Sequence, residues 1–162
     1  MSSFADENII SDFVTESREH LTSIEPDLLS MEQLGSSAPA EVINRVFRAI
    51  HSIKGGAGFF AFENLKRLSH AMESVLMQVR DGKLAVDPEI MDVVLASLDR
   101  LRAMLDDINA SDSVPCTREM EALAGVLERQ GVSPGATVKG RIKGGPEFNL
   151  DAEAVRSSLR RG

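Results

Sequence analysis

The chain has 162 residues, a length that fits one domain with a short appendage. Its 43% hydrophobic and 27% charged composition excludes wholesale disorder, and its single cysteine, Cys116, excludes an internal disulfide framework or a multi-cysteine zinc site. A net charge of −7 argues against general nucleic-acid binding.

No apolar run approaches the roughly 18 residues of a membrane span. The acidic start, MSSFADENII, also lacks the basic-then-apolar plan of a signal peptide. A cytoplasmic chain without a membrane partner is expected. There is no Trp or Tyr and there are seven Met, so the core must be aliphatic, which suits helix packing better than a sheet.

In chain order, the first segment carries Ile10, Phe13, Val14, Ser17, Leu21, Ile24, Leu28, Met31 and Leu34 in steps of three and four, one helical apolar stripe. Pro26 lies inside it and is expected to bend the helix or leave a local defect. A turn at 35–39 follows. The second helix starts near Pro39 and carries Val42, Ile43, Val46, Phe47, Ile50, Ile53 and Ala57. The third runs from about Phe62 to Arg80, with Leu65, Leu68, Met72, Val75, Leu76 and Val79 inward, and stops at Asp81-Gly82. Asp87 caps a fourth with Pro88 in its first position, burying Val94, Leu98, Leu101, Leu105 and Ile108. A shorter fifth is expected at roughly 118–130.

Long amphipathic helices joined by short turns pack antiparallel. The expected fold is therefore all-α: an up-down four-helix bundle with a fifth, C-terminal helix attached. The charge is uneven. Residues 1–134 hold 12 Lys/Arg and 22 Asp/Glu, net −10, whereas 135–162 hold 6 and 3, net +3. The sign changes in a Gly/Pro-rich stretch, so the bundle is assigned to 1–131, a linker to 132–146, and a short tail, or the start of a following module, to 147–162.

One stretch opposes the apolar pattern around it: Ile50-His51-Ser52-Ile53-Lys54-Gly55-Gly56-Ala57-Gly58-Phe59-Phe60. Each glycine costs about 1 kcal/mol relative to Ala inside a helix. They either end the helix or strip side chains from a surface that something must approach closely. At about 100° per residue, His51 falls at the edge of the buried arc, with Gly55 and Gly58 on its stripe and Lys54 beside it. An exposed imidazole, an open approach and a nearby cation suit an incoming phosphoryl group. With an ordinary pKa of about 6.5, a neutral imidazole is nucleophilic at one ring nitrogen while the other holds the proton. A carboxylate accepting that N–H would fix the tautomer, and a lysine would screen the phosphoryl oxygens.

His51-Ser-Ile-Lys54-Gly55-Gly-Ala-Gly58-Phe resembles the signature of histidine phosphotransfer (HPt) domains, most closely those at the N-terminus of CheA-type chemotaxis histidine kinases. Leu68-Ser-His70-Ala-Met-Glu73 is similar to the family's second motif, at the family's spacing from His51. The likeness covers roughly 5–131. It implies that His51 is phosphorylated at Nε2, that Glu73 holds Nδ1–H, that Lys54 and His70 complete the polar network, and that Gly55 leaves room for a partner. From the residues alone, His70 lies opposite the apolar arc of its helix, which reads as a solvated face, and the Glu73 contact is not delivered. Arg48, one turn before His51, is placed to meet a phosphoryl group or a partner surface, although most exposed arginines only solubilise. Ala61 stands where relatives often have glycine, with little effect expected. Phe59, Phe60 and Phe62 read as core and turn anchors, His20 as solvated.

Rival site chemistries fail on spacing. A nucleotide-binding loop needs its Lys after the glycines and a strand before them. A di-iron bundle needs paired Glu-x-x-His motifs, whereas His70-x-x-Glu73 occurs once and in reverse. No metal site is expected. The resemblance implies a module that takes a phosphoryl group from the ATP-binding domain of a histidine kinase and passes it to a receiver-domain aspartate of a response regulator. ATP and Mg²⁺ belong to those partners, so no cofactor and no autonomous activity are expected here, and the parent protein is expected to be a histidine kinase, a transferase. A stand-alone or hybrid-kinase relay protein is the nearest alternative. A helical interaction module with an incidental histidine is the further one.

Overall fold

A computed structural model describes residues 3–129, and among them the chain forms six α-helices, two 3₁₀ turns and no strand. The helices are α1 (Ser3–Ser23), α2 (Glu25–Leu34), α3 (Ala40–Phe59), α4 (Glu63–Arg80), α5 (Pro88–Asp106) and α6 (Thr117–Glu128), with 3₁₀ turns at Gly35–Ser37 and Ile108–Ser113. The linker expected at 132–146 and the tail expected at 147–162 lie outside the described residues. No helix among the described residues is long and apolar enough to cross a membrane.

The first apolar stripe is continuous but its helix is not. Pro26 cannot donate a backbone hydrogen bond, and the chain breaks at Ile24, whose own N–H reaches His20 O at a long 3.3 Å. Pro26 then falls in the first turn of α2, where no donor is missed. Leu21, Ile24, Leu28 and Met31 stay buried across the break. Leu34, expected to continue the stripe, is half exposed because α2 ends there at Gly35. A bidentate pair from Arg45 to the buried Asp27, at 2.7 and 3.0 Å, fixes α2 on α3.

The α1–α2 arm packs on α3 and α5, α3 on α4, and α4 on α5, which closes the four-membered ring. Ile50, Ile53, Leu65, Leu68, Met72, Leu76, Ile90, Val94, Leu98 and Leu101 fill its centre and are essentially inaccessible. The fifth expected helix is α6, laid across α4 and α5 and tied down by Arg100 to the buried Glu119 at 3.3 Å. Asp87 caps α5 as expected, its side chain accepting from Ile90 N at 2.8 Å.

Both helices of the central hairpin end in the same way. At the close of α4, Gly82 has φ +77°, and Lys83 N–H reaches back to Gln78 O at 2.8 Å. At the close of α3, Phe62 N–H reaches back to Ala57 O at 2.9 Å and Ala61 N–H to Gly58 O at 3.2 Å, with Ala61 at φ +63°. This left-handed position is the one glycine fills best. Ala61 is the one non-glycine residue with positive φ among the described residues, so its departure from the family pattern carries a strain that the sequence reading set aside. Ala61→Gly is expected to raise stability by about 1 kcal/mol, read as a higher denaturation midpoint with an unchanged m-value. An unchanged or lowered midpoint would show that the turn is not strained.

Candidate functional site

Helix α3 runs unbroken through Gly55, Gly56 and Gly58 to Phe59, so the glycines do not end it. They serve different ends. A Cβ at Gly55 would meet nothing within 4 Å, whereas one at Gly56 would collide with the Phe13 ring, and one at Gly58 would touch Lys66 Cδ at 3.4 Å. Gly55 is bare surface. Gly56 lets α1 close on α3, a packing role that the wheel did not single out.

His51 stands on the exposed side of α3 with 59% of its side chain accessible. Across the α3–α4 hairpin, Glu73 is buried and bonded to His51 Nδ1. Its other oxygen accepts from Lys54 Nζ at 2.6 Å. Burial by itself pushes the Glu73 carboxyl up, but the hydrogen bonds from Lys54 and His51 outweigh it and hold the group below the usual carboxylate range. An ionised carboxylate accepts and cannot donate, so Nδ1 carries the ring proton and Nε2 the lone pair. Nε2 has no hydrogen-bond partner among the described residues.

The structure thus brings His51, Lys54 and Glu73 together and leaves His70 out. His70 is exposed, and its side chain makes no hydrogen bond to the other three. The α4 wheel explains the separation. Glu73 falls about 110° from the centre of the apolar arc, at its boundary, while His70 falls about 170° away, on the far side. Lys54 is not a solvated lysine: its charge compensates a buried carboxylate. Arg48 is exposed and forms no ion pair among the described residues. With His20, Ile24, Asp27, Arg45 and Ser52 it lines a cleft of about 420 Å³ between the α1–α2 arm and α3, which His51 does not line.

Phe60 and Phe62 are half-buried and surround Phe13, with ring centroids 5.4 and 6.3 Å from it. Phe59 corrects the sequence expectation: it is 80% exposed. Because α3 continues through the glycines, Phe59 falls two turns beyond His51 on the solvent side instead of turning inward. Among the described residues no group of three or more His, Cys, Asp or Glu is placed to hold a metal ion.

A helical bundle that presents one exposed histidine, backed by a buried carboxylate on the neighbouring helix, defines the class. The Hpt domain family model matches residues 8–111, and the chain belongs to that family. It is homologous to the phosphotransfer domains of CheA chemotaxis proteins. The chemotaxis protein CheA of Halobacterium salinarum is 34% identical over 149 residues, covering 89% of this chain and 22% of that protein. The CheA phosphotransferase domain from Thermotoga maritima superposes with a TM-score of 0.59 at 30% identity, covering 63% of this chain and 95% of that one. A phosphorylated P1 domain of CheA3 in complex with CheY6, from R. sphaeroides, gives a TM-score of 0.68 at 26% identity over 76% of this chain and 98% of that one. The chain spans about a fifth of the length of such full-length relatives.

Proposed function

We propose that His51 is the phosphoacceptor of a CheA-type relay, taking a phosphoryl group from the ATP-binding domain of a histidine kinase and giving it to a receiver-domain aspartate. One observation carries the reading: an exposed imidazole whose Nδ1 is tied to a buried carboxylate and whose Nε2 has no partner. In the first step the Nε2 lone pair forms a bond to the γ-phosphorus of ATP, the bond to the bridging oxygen breaks, and ADP leaves with that electron pair. Nδ1 keeps its proton, and the positive charge that develops on the ring is balanced by Glu73. In the second step an aspartate oxygen of the receiver bonds to phosphorus and the P–N pair returns to Nε2. Mg²⁺ and the remaining charge compensation come with the partners.

Lys54 sits on the same carboxylate and keeps it ionised through both steps. The exposed stripe of Arg48, His51, Gly55 and Gly58 is the surface that the partners approach, with Phe59 at its end. The relative solved with CheY6 supports a receiver as one partner.

The test is phosphoryl transfer. Incubated with a CheA-type kinase core, ATP and Mg²⁺, the chain is expected to gain acid-labile, alkali-stable phosphate, and His51→Gln to gain none. Equal label on His51→Gln, or none on the wild type while the kinase labels its own substrate, would sink the assignment.

A further inference from the structure

Glu73 holds His51 at a single atom. One hydrogen bond fixes Nδ1 but leaves the ring plane free to tilt about that bond, because the torsion that turns an imidazole has broad wells. A side chain 59% exposed has little packing to stop it. One turn earlier on α3, however, the Phe47 ring lies nearly parallel to the imidazole, with centroids 6.0 Å apart and planes 14° apart. Phe47 is itself held from the neighbouring helix. The guanidinium carbon of Arg80, the last residue of α4, sits 4.5 Å from its ring centroid, and Arg80 Nε lies 3.6 Å from Asp81. A cation, a phenyl ring and an imidazole therefore stand in series, reaching from the end of α4 to His51.

We propose that Phe47 is a positioning residue that sets the plane of the His51 imidazole, and that Arg80 acts through it by holding the phenyl ring. The inference rests on His51 being the phosphoacceptor. The lone pair of Nε2 lies in the ring plane, so a tilted plane aims it away from phosphorus. Transfer depends on that alignment at the moment a partner docks. Glu73 selects which nitrogen is nucleophilic, and Phe47 selects the direction in which it points. The two constraints come from different helices, α4 and α3, and meet on one ring.

Phe47 also packs against the core, so the test must separate aim from packing. Phe47→Leu keeps apolar bulk and removes the stack, while Phe47→Tyr keeps the ring. In the full chain, Phe47→Leu is expected to slow phosphorylation of His51 about 3- to 10-fold at saturating chain, with the KM of the kinase for the chain changed less than about 2-fold. Phe47→Tyr is expected to stay within about 2-fold of wild type. Arg80→Gln is expected to slow the reaction about 2- to 3-fold, and to add nothing in the Phe47→Leu background. Ring-carbon relaxation of His51 by NMR, in the unphosphorylated chain, is expected to show lower order in Phe47→Leu and wild-type order in Phe47→Tyr. Wild-type rate and ring order in Phe47→Leu would overturn the proposal. So would equal losses in Leu and Tyr, or multiplying losses for Arg80 and Phe47. If the wild-type chain takes no label at all, it is the phosphoacceptor reading that fails, and ring order alone still decides whether Phe47 holds the imidazole.

Discussion

Glu73→Ala is expected to lower the rate of His51 phosphorylation by about 10- to 100-fold, the range lost when the partner that orients a metal-ligating imidazole is removed. The wild-type carboxylate accepts from Nδ1–H and so leaves the lone pair on Nε2, the exposed nitrogen. Without it the proton redistributes between the two nitrogens, the exposed one is nucleophilic only part of the time, and nothing nearby balances the cation that forms on transfer. Lys54 also loses its partner, but its side chain is 27% exposed and can turn to water, so the bundle is expected to remain folded. Time courses of acid-labile phosphate on both chains, beside their far-ultraviolet spectra, check this. A rate within about 2-fold of wild type would show that the contact does not prepare the nucleophile. The same carboxylate gives a pH signature. Its pKa in the folded chain is depressed, so its contribution to stability is complete above the ordinary glutamate value, about 4.3, and is lost as pH falls through the lower folded value. The stability difference between wild type and Glu73→Ala is therefore expected to shift against the wild type below about pH 4.

The second large effect separates two adjacent glycines. Gly56→Ala places a methyl carbon 2.5 Å from Phe13 Cδ1 and 3.3 Å from its Cζ. Phe13 cannot step aside easily: it is 8% exposed and its ring lies against those of Phe60 and Phe62. Overpacking of this kind costs about 1–3 kcal/mol, against a gain of about 1 kcal/mol from replacing a helical glycine, so a net loss of up to about 2 kcal/mol is expected. Gly55→Ala meets nothing and keeps the gain, so its stability is expected to rise by up to about 1 kcal/mol while phosphoryl transfer slows, because the methyl stands on the face that partners approach. Thermal denaturation of the two variants side by side is the check. Shifts of the same sign would contradict the division of labour between the glycines.

Much of the fold is legible in the sequence. The apolar stripes, the Asp87-Pro88 start of α5 and the Asp81-Gly82 stop of α4 are local signals, and local signals survive folding. What the sequence could not carry was the meeting of two helices. Glu73 and His70 share one motif, and the wheel already sets them apart, Glu73 at the boundary of the apolar arc and His70 opposite it. What the wheel does not deliver is the contact itself: the packing of α4 on α3 brings Glu73 against His51 Nδ1. Phe59 misled for a related reason: an aromatic beside glycines suggests a turn anchor, yet the helix did not turn there. Ala61 was marked in the sequence as a place where relatives often have glycine, but its strain was not legible there, because it resides in a backbone angle fixed by the hydrogen bonds that close α3. The break at Ile24 was half legible. Pro26 signals a defect, but whether the chain bends or divides depends on what packs against it, here Arg45 gripping Asp27.

With one ring nitrogen committed to the hairpin, everything that enters or leaves the imidazole passes through the other, and from the single side that α3 leaves uncovered. On the proposed reading, the domain is then a berth for one vessel. Donor and recipient use the same doorway in turn, and the P–N bond has to last through the change of occupant, longer than one departure and one arrival but not much more. Speed in such a relay is set as much by how readily each visitor lets go as by how readily phosphorus moves.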